Sequence, residues 1–118
     1  MTFDPKHFLD LATILISDTK YCNEARCRTS ISRAYYAAHL ISRKKLELKG
    51  YSFSTDDKVH WKVIEGMIKE NFVIGDMLKK LRKYRNDADY DLNKEITNYM
   101  TIYSKTLAEA VIEEANKI

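Results

Sequence analysis

The sequence predicts an all-α protein, an up-and-down bundle of four or five helices forming a single domain over residues 1–118. Three observations predict it. Apolar residues recur in steps of three and four along five separate stretches. Helix breakers are few, three glycines and one proline in 118 residues, which favours long helices with short links over a many-turned β fold. Apolar side chains make up 45% of the chain, enough for one core at a length that fits one domain.

Asp4-Pro5 starts the first helix. The aspartate can cap free amides, and proline fits the first helical position, where its missing N–H is not needed. Phe8, Leu11, Ala12 and Leu15 form its apolar stripe, and it ends near Asp18–Lys20. The second helix runs from about Asn23 to Lys49 and buries Ile31, Ala34, Tyr35, Ala38 and Ile41. Gly50 closes it, and Tyr51–Thr55 is a loop. Thr55 or Asp56 caps the third helix, whose stripe is Val59, Val63, Ile64, Met67 and Ile68, ending near Asn71. Phe72 and Val73 lead to a break or tight corner at Gly75. The fourth helix follows, with Ile74, Met77, Leu78, Leu81 and Tyr84 on one face. The last covers roughly Asn93–Asn116, with Ile96, Tyr99, Met100, Tyr103, Leu107, Ala110 and Val111 in register. Four of the eight tyrosines fall on these stripes, so their rings are expected in the core and their hydroxyls at its rim.

The net charge of +3 does not by itself identify a nucleic-acid partner. The distribution says more. Arg26, Arg28, Arg33, Arg43, Lys44 and Lys45 form one basic concentration, and Lys79, Lys80, Arg82, Lys83 and Arg85 a second. Each is either a phosphate-binding surface or a solvated helix face, and both readings stand. Cys22 and Cys27 are spaced neither as a CxxC pair nor as half of a zinc finger. The opening MTFDPKHF has no basic region before an apolar run, so no secretory signal is expected. The longest apolar stretch, Leu11–Ile16, is too short to cross a bilayer. A reduced, cytoplasmic protein with no membrane partner is the expectation.

One residue breaks the pattern. Ile74, Met77, Leu78, Leu81, Tyr84, Arg85 and Ala88 continue the fourth stripe, which puts Arg85 where a hydrophobe belongs. A guanidinium cannot shed its charge, so burial demands an anionic or hydrogen-bonding partner. Asp87, Asp89 or Asn86 can supply one, and helical geometry favours Asp89, four residues on. The simplest consequence is a structural ion pair at the helix end. The alternative is a cavity in which the planar fork holds two oxygens of a ligand phosphate. Other chemistries find less support. The run from Asp87 to Asp91 opens like a calcium loop, but Leu92 stands where that loop needs glycine and Asn98 where it needs glutamate. His7, His39 and His60 are the only imidazoles, and no serine–histidine–carboxylate motif or glycine-rich phosphate loop is present. No metal and no cofactor are expected.

Two segments carry a family resemblance. The second helix contains Ser32-Arg33-Ala34-Tyr35-Tyr36-Ala37, and the fourth closes with Arg85-Asn86-Asp87-Ala88-Asp89-Tyr90-Asp91, with His60 between them. An S-R-A-Y-Y-A helix followed by a histidine and R-x-x-A-D-Y-D resembles the HEPN superfamily, and most closely its small stand-alone prokaryotic members. The motifs cover about residues 21–92. The resemblance implies a four- or five-helix bundle, usually a homodimer. It also implies kinship with metal-independent endoribonucleases of toxin–antitoxin and phage-defence systems. In those an arginine orients the scissile phosphate, and a histidine that follows after four to six intervening residues handles protons at the 2′-OH.

Carried to this chain, the resemblance assigns Arg85, Asp89 and Tyr90 to a catalytic cleft. It assigns Arg33, Arg85, Asn86 and His60 to RNA or nucleotide binding. Tyr90 occupies the place of the family's histidine. Tyrosine is a poor general base near neutrality, since its ordinary pKa is about 10. The base is therefore His39 or His60 brought in through space, or the module is catalytically inactive and binds nucleotide, RNA or a nucleotidyltransferase antitoxin. In some such pairs a tyrosine near the motif is AMPylated, and Tyr90 is the nearest candidate. A third reading is structural only, a dimer whose Arg85–Asp89 cluster fixes packing.

Overall fold

A computed structural model describes residues 3–20 and 23–118; Tyr21 and Cys22, and with them any reading of the cysteine pair, lie outside the described residues. The chain forms five helices: α1 (Lys6–Ser17), α2 (Asn23–Leu48), α3 (Val59–Glu70), α4 (Phe72–Tyr90) and α5 (Asn98–Ala115). Among the described residues there is no strand, and no helix is long and apolar enough to cross a membrane.

Helix α2 is the axis of the bundle and packs against all four others. Its inward residues explain this. Ala34, Ala37 and Ala38 are buried beside Ile31, Tyr35, Ile41 and Leu46, and small side chains let neighbouring backbones approach closely while the larger ones fill the gaps. Val63, Ile64 and Met67 of α3, Leu78 and Leu81 of α4, and Leu107 and Val111 of α5 complete the core. A second, smaller cluster of Cys27, Ile31, Ala88 and Ile96 seals the end of the bundle where α4 stops.

The helix ends follow their local chemistry. Asp4 Oδ1 accepts from the Lys6 N–H at 3.0 Å. Gly50 adopts φ +112°, letting the Tyr51 N–H reach back to the Leu46 carbonyl at 3.0 Å, the left-handed turn that glycine makes without strain. Asp56 holds a turn before α3 by accepting from the Lys58 N–H at 2.9 Å, so the helix begins at Val59 rather than directly after the aspartate.

Four expectations change. Gly75 is no break: it lies buried inside α4, and Asn71 caps the helix by accepting from the Ile74 N–H at 3.3 Å. The last helix begins at Asn98, not near Asn93, because residues 91–97 form a turn. Asp91 Oδ1 accepts from the Asn93 N–H, and Thr97 caps the helix through the Met100 N–H. The buried face of α5 holds Leu107 and Val111 as expected but is wider than the expected stripe. Thr101, Ser104 and Ala108 also face inward, while Tyr99 is exposed. Leu11 of α1 likewise faces outward, leaving Ala12 as that helix's buried residue.

Candidate functional site

Opposed polar stripes on α2 and α4 build the site. On α2, Ser32, Tyr36, His39 and Arg43 follow one another at steps of four, three and four; on α4, Arg82, Arg85 and Asp89 do so at three and four. Residues so spaced share one helix face, and the two helices pack on each other.

Arg85 is the hub. It is only 7% exposed, as a position on the apolar stripe requires. Its Nη1 donates to Asn86 Oδ1 at 2.7 Å and its Nη2 to the Tyr36 hydroxyl at 2.5 Å. Its Nε lies 3.2 Å from Asp89 Oδ2, an ion pair whose N–H is not aligned for a hydrogen bond. The guanidinium carbon sits 5.3, 5.1 and 5.6 Å from the ring centres of Tyr35, Tyr36 and Tyr90. The charge thus lies among three π faces that offset part of its desolvation. A guanidinium has five N–H groups, so Nη1 and Nη2 each retain one N–H beyond these bonds.

The rim continues from Asp89. Its Oδ2 accepts from Ser32 Oγ at 3.1 Å, and Ser32 Oγ accepts from Arg33 Nη2 at 3.3 Å. The Arg33 guanidinium lies 4.9 Å from the Phe8 ring centre and 5.0 Å from that of Tyr36. A shallow groove of about 450 Å³ opens here, lined by Arg28, Thr29, Ser32, Arg33 and Asp89 among others.

Behind Arg85 stands a histidine pair. The first turn of α3 brings His60 to α2, where its Nδ1 lies 2.5 Å from the Tyr35 hydroxyl. The His39 and His60 rings stack with centres 4.3 Å apart. His39 is 3% exposed, and its Nδ1 has no hydrogen-bond partner. Burial pushes the His39 imidazole down to about 3, and His60, Arg43, Arg85 and Arg82 add to the effect. Burial also lowers His60, with Arg85 and Arg82 acting in the same direction. Burial pushes the Tyr35 hydroxyl up, against the opposing pull of Arg82 and Arg85. At neutral pH both imidazoles are therefore neutral, and neither serves as an imidazolium donor.

The structure brings Arg85, Asn86, Asp89, Arg33 and His60 to one site. Tyr90, at the last residue of α4, is 72% exposed and meets the site through its ring alone. Asp87 points elsewhere. It takes Lys94 Nζ at 2.8 Å and Lys83 Nζ at 3.2 Å. Burial works against its carboxylate, but the two lysines outweigh it and hold it below its ordinary range. The first basic concentration also divides in a way neither reading anticipated. Arg26 Nη1 donates to the Leu15 and Ile16 carbonyls at the end of α1. Arg28 donates to the Asp87, Ala88 and Asp91 carbonyls at the end of α4 and to that of Lys94. Both cap helix C-termini, and Arg28 also lines the groove beside Ser32 and Arg33. Among the described residues, no group of three or more histidine, cysteine or carboxylate side chains is placed to hold a metal ion.

Sequence reading undervalued Tyr36, His39 and Arg82. The signal was present: the Ser32–Tyr36–His39–Arg43 spacing is a polar stripe on a helix whose other face is the core, and it faces the stripe that contains the misplaced arginine.

Comparison of the chain with protein-family models, with curated proteins and with solved structures finds no match.

Proposed function

We propose that this chain is a HEPN-type protein that acts on RNA as a metal-independent endoribonuclease, with Arg85 holding the phosphate backbone. One observation carries the reading. Arg33, His60, Arg85, Asn86 and Asp89, five of the six residues to which the HEPN resemblance assigns a role, come from three helices and converge on one polar site, and the sixth, Tyr90, touches it through its ring. Arg85 retains an N–H on each Nη for phosphate oxygens, and its fork is pre-set by Tyr36, Asn86 and Asp89. Such preorganised donors are worth most where charge develops. RNA supplies its own nucleophile, the 2′-OH, and His60, neutral and with its Nδ1 engaged by the Tyr35 hydroxyl, would offer Nε2 as the base. A homodimer would set two such sites across one cleft.

A second reading is favoured by the state of the histidines. Returning a proton to the leaving oxygen needs an acid, and His39 and His60 are both held neutral. The same site then binds RNA or nucleotide without cutting, or docks a nucleotidyltransferase antitoxin.

The test is end-labelled RNA incubated with purified protein in EDTA, run on denaturing and native gels. Cleavage abolished by Arg85→Met and reduced by His60→Ala, with folding intact, supports the nuclease. Retardation without cleavage, lost in Arg85→Met, supports the binding module. If the wild type neither cuts nor retards RNA, the RNA reading fails.

A further inference from the structure

Helix α4 carries five cations between residues 79 and 85, and three have carboxylate partners: Lys80 pairs with Asp76, Lys83 with Asp87 and Arg85 with Asp89. Lys79 and Arg82 have none within ion-pair distance among the described residues, and Arg82 Nε is buried without a hydrogen-bond partner. These two precede Arg85 at three-residue steps, so the cations run along one side of α4 from its middle toward the site. Their field reaches α3, where Arg82 and Arg85 both act on His60. The next residue of α3 is Trp61, 42% exposed, with Lys79 Nζ 5.7 Å from its ring centre. A large aromatic left half in solvent beside unpaired cations is the composition that single-stranded nucleic acid uses: cations follow the phosphates and the ring stacks a base.

We infer that Trp61, Lys79 and Arg82 form a subsite that extends the Arg85 site along a single RNA strand, Trp61 stacking one unpaired base while Lys79 and Arg82 meet the phosphates beside it. The inference rests on the RNA reading above and adds to it a polarity, from the end of α4 toward its middle, and a preference for unpaired strands. A duplex keeps its bases stacked on one another, so it cannot offer one to Trp61.

Trp61 is the chain's only tryptophan, so its fluorescence reports on this subsite alone. The probes are a short oligouridylate and a strand of equal length that lacks bases. The oligouridylate should quench Trp61, and the base-free strand should bind with little quenching. Trp61→Ala should weaken oligouridylate binding about 10-fold, while Trp61→Phe keeps most of the affinity. Lys79→Gln should lower the salt dependence of binding by about one phosphate contact. Oligouridylate binding that depends on Arg85 but neither quenches Trp61 nor weakens in Trp61→Ala would overturn the subsite and leave the RNA reading standing. Equal quenching by the base-free strand would overturn the stacking. Absence of any RNA binding by the wild type would remove the RNA reading and the subsite together.

Discussion

The imidazole of His39 lies stacked on that of His60, ring centres 4.3 Å apart and 22° from parallel, with Arg43, Arg82 and Arg85 in range and their charges unfavourable to protonation. The consequence is a pH-dependent stability with a definite sign. His39 has a folded pKa of about 3 against 6.5 when unfolded, so below pH 6.5 the unfolded chain binds the extra proton. Its contribution is fully present above about pH 6.5 and is lost as pH falls toward 3. Through that window it gives a slope approaching about 1.4 kcal/mol per pH unit. His60, lowered as well, acts in the same direction. Carboxylates such as Asp87 and Glu70, held below their ordinary range, lose their contribution only below about pH 4. Urea unfolding between pH 7 and about pH 5 therefore isolates the histidines. The wild type should lose stability across it, and His39→Leu should lose much less. A flat wild-type profile would refute the assignment.

Legibility differed by element for physical reasons. The stripe of α2 could be read because Ile31, Ala34, Tyr35, Ala38 and Ile41 are apolar at helical spacing, and all five are buried. The face of α5 could be read only in part: Leu107 and Val111 are buried, but so are Thr101 and Ser104, which the spacing of hydrophobes does not register. Arg85 was legible as an anomaly, and Asp89 as its partner from helical geometry. Tyr36, which joins α2 to that arginine, and Arg28, which clamps the end of α4, were not. Both bonds cross about fifty or more residues of chain, and no local rule pairs them.

Arg28 makes the next prediction. One guanidinium accounts for bonds to four carbonyls between Asp87 and Lys94 and for a 3.0 Å ion pair with Glu24. A lysine ammonium is a point charge and cannot span that arc. Arg28→Ala should destabilise the fold by about 2–3 kcal/mol, since bonds to charged groups exceed neutral ones, and Arg28→Lys should recover only part of it. Amide exchange should accelerate first at residues 91–97. Uniform acceleration across the chain would mean that Arg28 stabilises the whole fold, with no special hold on this turn.

Gly75 separates intrinsic propensity from packing. In an open helix, Gly→Ala stabilises by about 1 kcal/mol. Here a Cβ on Gly75 would stand 2.4 Å from the Ile68 backbone nitrogen and 2.5 Å from its Cα. Backbone cannot rotate away, so α3 and α4 must part. Gly75→Ala should therefore destabilise by about 2 kcal/mol or more, as read from the urea midpoint. A stabilised variant would show that the α3–α4 corner is looser than described.

Arg85 itself divides structure from function. Arg85→Ala removes the partner of the Tyr36 hydroxyl and of Asn86, and empties the space between three tyrosine rings. A loss of about 3 kcal/mol is expected. Arg85→Met keeps volume and contact with the rings while deleting the fork, and should cost about 1–2 kcal/mol. Asp89→Asn should cost about 1 kcal/mol or less, because that carboxylate reaches solvent. The double variant Arg85→Met/Asp89→Asn should be less destabilised than the sum of its parts, since the pair is already broken in either single variant. Strict additivity would mean that the 3.2 Å pair contributes nothing to folding. Arg85→Met is then the variant for the RNA assays, because its expected cost is the smaller and it lacks the one group that the proposed phosphate contact requires.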